Sequence, residues 1–83
     1  MPRARLLVVE DQSIIALDLK NRLTGLGYEV VAIVGYGEAA LQQAGETRPD
    51  LVLMDIRLKG EMDGIQAAEA VALSRSKVAE LED

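Results

Sequence analysis

Leu51-Val52-Leu53-Met54-Asp55 is four apolar residues in an unbroken row, closed by a carboxylate. An apolar run without polar alternation suits a strand covered on both faces, as in a parallel sheet. Leu6-Leu7-Val8-Val9 is built the same way and stops just as abruptly, at Glu10-Asp11. Val30-Val31-Ala32-Ile33-Val34 reads as another buried strand. The intervening segments change period. From Ser13 to Leu26, Ile15, Leu19, Leu23 and Leu26 fall at helical spacings, and Gly27 stands where a left-handed helix cap is expected. Gly35-Tyr36-Gly37 ends the Val30–Val34 strand. Glu38 to about Ala44 forms a short helix with Ala40, Leu41 and Ala44 on one side. Arg48-Pro49-Asp50 is a turn, because proline drives the preceding residue out of the right-handed helical region. After Asp55 comes a polar, glycine-containing loop, Lys59 to Gly64. A last helix is expected from about Asp63–Ile65 onward, running through Val71, Val78 and Leu81. Strand and helix alternate three times, which implies an α/β fold with right-handed crossovers.

Composition narrows the chemistry. The chain has 83 residues, 49% of them hydrophobic and 28% charged, a globular balance for one domain or part of one. Tyr28 and Tyr36 are the only aromatics, so the core is aliphatic. With no cysteine and no histidine, disulfides, thiol and imidazole catalysis and the usual zinc sites are excluded, and any metal must be held by oxygen. A net charge of -5 and the lack of a basic stripe argue against a nucleic-acid partner. No apolar run is long enough to cross a bilayer, and Met1–Arg5 does not lead into a signal-peptide core, so a cytoplasmic location is the expectation.

Ligands of parallel α/β sheets bind beyond the carboxyl ends of the strands. Two of the three runs end there in acids. If the strand order is 2-1-3, the first and third strands are neighbours and Glu10, Asp11 and Asp55 converge. Like charges so close are costly without a cation among them. Rigid, oxygen-only ligands suit Mg²⁺, which can neutralise an incoming phosphoryl group. Asp55 is the better nucleophile because it stands alone on its strand, leaving the paired acids for metal. The competing reading is structural: an Asp at a strand end often forms a turn, and Asp11 could cap the first helix.

Val8-Val9-Glu10-Asp11, Leu26-Gly27-Tyr28-Glu29-Val30-Val31, Pro49-Asp50-Leu51-Val52-Leu53-Met54-Asp55-Ile56 and Met62-Asp63-Gly64-Ile65 together resemble the receiver domains of two-component response regulators, over roughly Arg5 to Ala70. The resemblance implies a flavodoxin-like (CheY-like) fold and Mg²⁺ bound by Glu10, Asp11, Asp55 and the backbone carbonyl of Arg57. It also implies a histidine kinase as partner and phosphorylation of Asp55, with no true enzymatic activity beyond slow self-phosphorylation and dephosphorylation. Leu58-Lys59-Gly60-Glu61 resembles a subgroup with a slightly longer loop.

The same resemblance leads us to expect a fourth strand ending in Ser or Thr and a fifth ending in Lys, both contacting the phosphate. Neither is legible in Ala72–Asp83, which keeps a helical tone. Lys59 and Lys77 read as solvated side chains rather than replacements. The expectation is therefore a truncated fold: residues 1–72 as a partial receiver with three parallel strands in order 2-1-3 and three helices, and residues 73–83 as a helical extension of the third. Such a remnant leaves the third-strand edge bare and is marginal as a monomer. A homodimer is expected, through that edge (Leu51, Leu53, Ile56) or through the long last helix (Ile65, Val71, Val78, Leu81). The alternative to an impaired phosphoacceptor is a non-catalytic module that docks itself or another receiver, or a truncation product without activity.

Overall fold

The computed structural model describes residues 3–55 and 78–81. In chain order these are β1 (Arg5–Val9), α1 (Ser13–Gly25), β2 (Glu29–Val34), α2 (Gly37–Thr47), β3 (Leu51–Asp55) and β4 (Val78–Leu81). The strands form one sheet in the order β2-β1-β3-β4, and every pairing is parallel. The expected 2-1-3 order is present, with a fourth strand added.

Reversal of direction after β2 places the two helices on opposite faces. The β1-α1-β2 crossover moves one way across the sheet and β2-α2-β3 moves back, so right-handed connections put α1 and α2 on different sides. Side-chain parity follows. Leu7, Val9, Val52 and Met54 pack with Ala40 and Ala44 of α2 in one buried cluster, which Val78 joins from β4. Leu6 and Val8, of the other parity, are buried as well and face the α1 side. β1 is thus covered on both faces, as its unbroken apolar run requires. Small residues on α2 let it approach the sheet closely.

The helix ends follow local chemistry. α1 stops at Gly25, and Gly27 takes a φ of 96°, the left-handed conformation a side chain resists. Leu26, expected on the buried face, is 74% exposed because it already belongs to the cap. α2 runs to Thr47, three residues beyond the expected end, and closes on Arg48 in the left-handed region (φ 47°). Pro49 forbids continuation there, and the Arg48 N–H still reaches the Ala44 carbonyl at 3.1 Å. β2 is not the buried strand its composition suggests. It lies at the edge of the sheet, and Ile33 is 38% exposed.

At the amino edge, Arg5 ties three elements together. Its N–H donates to Asp50 Oδ2 at 2.7 Å, while the Asp50 N–H donates to the Arg5 carbonyl at 2.8 Å. Its guanidinium donates to the Thr47 carbonyl at 2.6 Å. Asp50 is a structural acid, fixing where β3 begins beside β1.

Two expectations are corrected. Val78–Leu81 is not the end of a long helix but a strand, paired from Val52↔Val78 to Asp55↔Leu81. Consequently the β3 edge is not bare, and a dimer through Leu51–Ile56 loses its premise. Val-Ala-Glu-Leu carries three strong helix formers and no unbroken apolar run; pairing with β3 overrides that local preference. Leu51 and Leu53 are half-buried at their positions in β3. The remaining interface residues Ile56, Ile65 and Val71, together with the third helix, Arg57, Lys59 and Lys77, lie outside the described residues.

Candidate metal and phosphoacceptor site

The register of β1 on β3 assembles the site. Val9 pairs with Met54, so the next residues, Glu10 and Asp55, leave two neighbouring strands at the same level. Parallel neighbours run about 4.8 Å apart, and Asp11 follows Glu10 directly in the chain. One carboxylate oxygen from each of Glu10, Asp11 and Asp55 lies within 4.8 Å of the others. Two of these acids are almost fully buried, Glu10 at 2% exposure and Asp55 at 1%, whereas Asp11 faces solvent.

Backbone bonds hold the turn. The Glu10 N–H donates to the Val34 carbonyl at 2.9 Å, so β2 braces the site from the far side of β1. The Gln12 N–H donates to Glu10 Oε1 at 3.0 Å, orienting that carboxylate. The Asp11 backbone passes close to Gly35, whose Cβ position would lie 3.8 Å from Asp11 Cα. The N-cap of α1 is Gln12, with no side-chain capping bond. Asp11 therefore does not cap the helix.

Burying carboxylates side by side costs several kcal/mol per ion unless opposite charge is supplied. The donor set is all oxygen, held on strand ends with one solvent-facing member, and that fits a hard divalent cation that keeps part of its water shell. Chemically, the arrangement can hold such an ion and present a carboxylate oxygen beside it.

One feature of the site escaped the sequence reading. Beside Glu10 and Asp11 opens a groove of about 370 Å³ between α1 and the end of β2, walled by Ala16, Leu17, Ile33 and Val34, with Lys20 also on its lining. Ser13, Ala16, Leu17 and Lys20 share one helical face at spacings of three, four and seven. Those spacings were available in the sequence, but nothing there indicated which face of α1 borders the acids.

A parallel α/β sheet with three acids converging at its carboxyl edge defines the receiver class of phosphoacceptor folds. The family model of the response regulator receiver domain matches residues 6–79, nearly the whole chain, and the protein belongs to that family. It is 41% identical over 75 residues to the transcriptional regulatory protein PdtaR of Mycobacterium tuberculosis, covering 90% of this chain and 36% of that protein. It is 40% identical over 67 residues to the chemotaxis protein CheY of Bacillus subtilis, covering 81% of this chain and 55% of CheY. Among solved structures, the signal receiver domain of a modulated diguanylate cyclase from Desulfovibrio desulfuricans G20 superimposes with a TM-score of 0.93 at 33% identity. That match covers 96% of this chain and 65% of the other. The chain thus spans between about a third and just over half the length of these two curated relatives.

Proposed function

We propose that the chain is a phosphoacceptor module of a two-component relay, in which Asp55 takes a phosphoryl group from a histidine kinase with Mg²⁺ at the acid cluster. The observation that carries this reading is the convergence of Glu10, Asp11 and Asp55 within 4.8 Å. Mg²⁺ bound by these acids and by the Arg57 carbonyl would neutralise phosphoryl oxygens during transfer. Asp55, buried at the strand end, is the nucleophile. Glu10 and Asp11 hold the ion, and the Gln12 N–H keeps Glu10 turned toward it. A cytoplasmic location follows from this role. The chemistry is that of an acceptor and not of an enzyme that turns over a separate substrate.

The test is intact-mass measurement with Mg²⁺ and a small acyl-phosphate donor, on the wild type and on Asp55→Asn. A phosphate adduct that needs both Mg²⁺ and Asp55 is the expected result. An adduct that persists in Asp55→Asn, or none at any donor concentration, overturns the assignment.

A further inference from the structure

The groove between α1 and β2 carries opposite charges at its two ends. Glu10 and Asp11 line it beside Ser13 and Gly35, at the carboxyl edge of the sheet. Lys20 lines it as well, and also lines a second groove of about 290 Å³ that borders Val30, Val31, Ala32 and Ile33 further back along β2. Lys20 therefore stands where the two grooves meet, away from the acids. Seven residues of helix place it about 10 Å along α1 from Ser13. It is exposed and takes no part in the ion pairs Arg5–Glu29 and Arg22–Asp18. Between the charged ends the walls are Ala16, Leu17, Ile33 and Val34. The volume of about 370 Å³ is that of a small-molecule site.

We propose that this groove binds a small ω-amino acid, an ammonium and a carboxylate joined by an aliphatic chain. The ammonium lies against Asp11 and Glu10, the carboxylate against Lys20, and the methylenes along the apolar walls. Opposite charges at the two ends fix the direction of the ligand, and the walls between disfavour one that is polar along its length. The chain of ε-aminocaproate spans about 7 Å, the extended length of two residues, and the flexible Lys20 stem closes the remaining distance. An amino acid with fewer methylenes falls short of one end. The ligand undergoes no reaction, and the proposal does not depend on phosphorylation of Asp55. Its ammonium takes the place of positive charge at Glu10 and Asp11, so the ligand and a divalent cation compete.

The experiment is an NMR chemical-shift titration of the full chain with ε-aminocaproate in EDTA, repeated with pentylamine, with β-alanine and in Mg²⁺. Saturable shifts are expected in α1 and around Ile33, Val34 and Gly35. Pentylamine, which lacks the carboxylate, should bind roughly three- to tenfold more weakly, and β-alanine more weakly still. Lys20→Gln should weaken ε-aminocaproate by the same factor and leave pentylamine unchanged, whereas Asp11→Asn should weaken both. Both substitutions fall at exposed positions, and unchanged spectra of the free variants check that the fold is kept. Mg²⁺ should raise the apparent dissociation constant of ε-aminocaproate in proportion to its own occupancy. Absence of saturable shifts, or equal affinity for pentylamine and ε-aminocaproate, overturns the proposal. Equal affinity of the wild type and Lys20→Gln overturns it too, as does binding indifferent to Mg²⁺. Each of these leaves the phosphoacceptor reading standing, because that reading is decided by the mass of the Asp55 adduct.

Discussion

Asp55 illustrates how position sets a common side chain in uncommon surroundings. Aspartates at strand ends are frequent, and Asp50, five residues earlier, spends its carboxylate on the Arg5 backbone. Asp55 differs because its strand neighbour ends at the same level in Glu10, leaving both acids almost fully buried. Like charges this close repel, and a bound cation would offset that repulsion. Asp55→Asn removes one of three charges, so without divalent ions we expect it to be more stable than the wild type by about 1 kcal/mol, or about 4–8 °C in Tm for a domain this small. Calorimetry in EDTA checks the sign. At the other edge, Arg5→Ala should cost about 1–2 kcal/mol in urea unfolding, because the Thr47 carbonyl loses its guanidinium donor and the N–H pairing with Asp50 loses support.

The elements show where a sequence can be read and where it cannot. β1 and β3 were legible from their unbroken apolar runs; β1 is buried on both faces, and in β3 Val52 and Met54 are buried while Leu51 and Leu53 are half-buried. The acids were legible for a related reason: a buried strand that ends in a carboxylate contradicts its own hydrophobicity, and the contradiction marks the site. β4 was not legible. Four residues with Glu80 among them carry little periodic signal, and their conformation is set by hydrogen bonds to β3. Lys20 was hidden for another reason, since its meaning depends on which face of α1 borders the acids. Two predictions belong to this scale. Ala79→Pro removes a backbone donor from β4 and should destabilise the protein measurably in urea unfolding. Gly27→Ala, forced into a φ of 96°, should cost about 1 kcal/mol by the same measurement.

At the scale of the molecule, the sheet is asymmetric in protection. β1 and β3 each have a strand on both sides, whereas β2 and β4 are the outer strands among the described residues. Hydrogen exchange should therefore find the slowest amides in Leu6–Val9 and Val52–Met54 and faster ones in β2 and β4. Uniform protection across the four strands would contradict this arrangement. The acid cluster sits at the carboxyl end of these two central strands. No helix of the described residues is long and apolar enough to cross a membrane.

The central claim is that Glu10, Asp11 and Asp55 act together as a site for a divalent cation. Its most direct test is the Tm of the wild type and of Asp55→Asn across a Mg²⁺ titration. Ligand that binds only the folded state stabilises by RT ln(1 + [L]/Kd), so the wild type should start lower in EDTA and climb as Mg²⁺ rises. Asp55→Asn should start higher and climb less, so that the difference between the two narrows or inverts. Parallel curves, or a wild type indifferent to Mg²⁺ at millimolar concentration, would contradict the account.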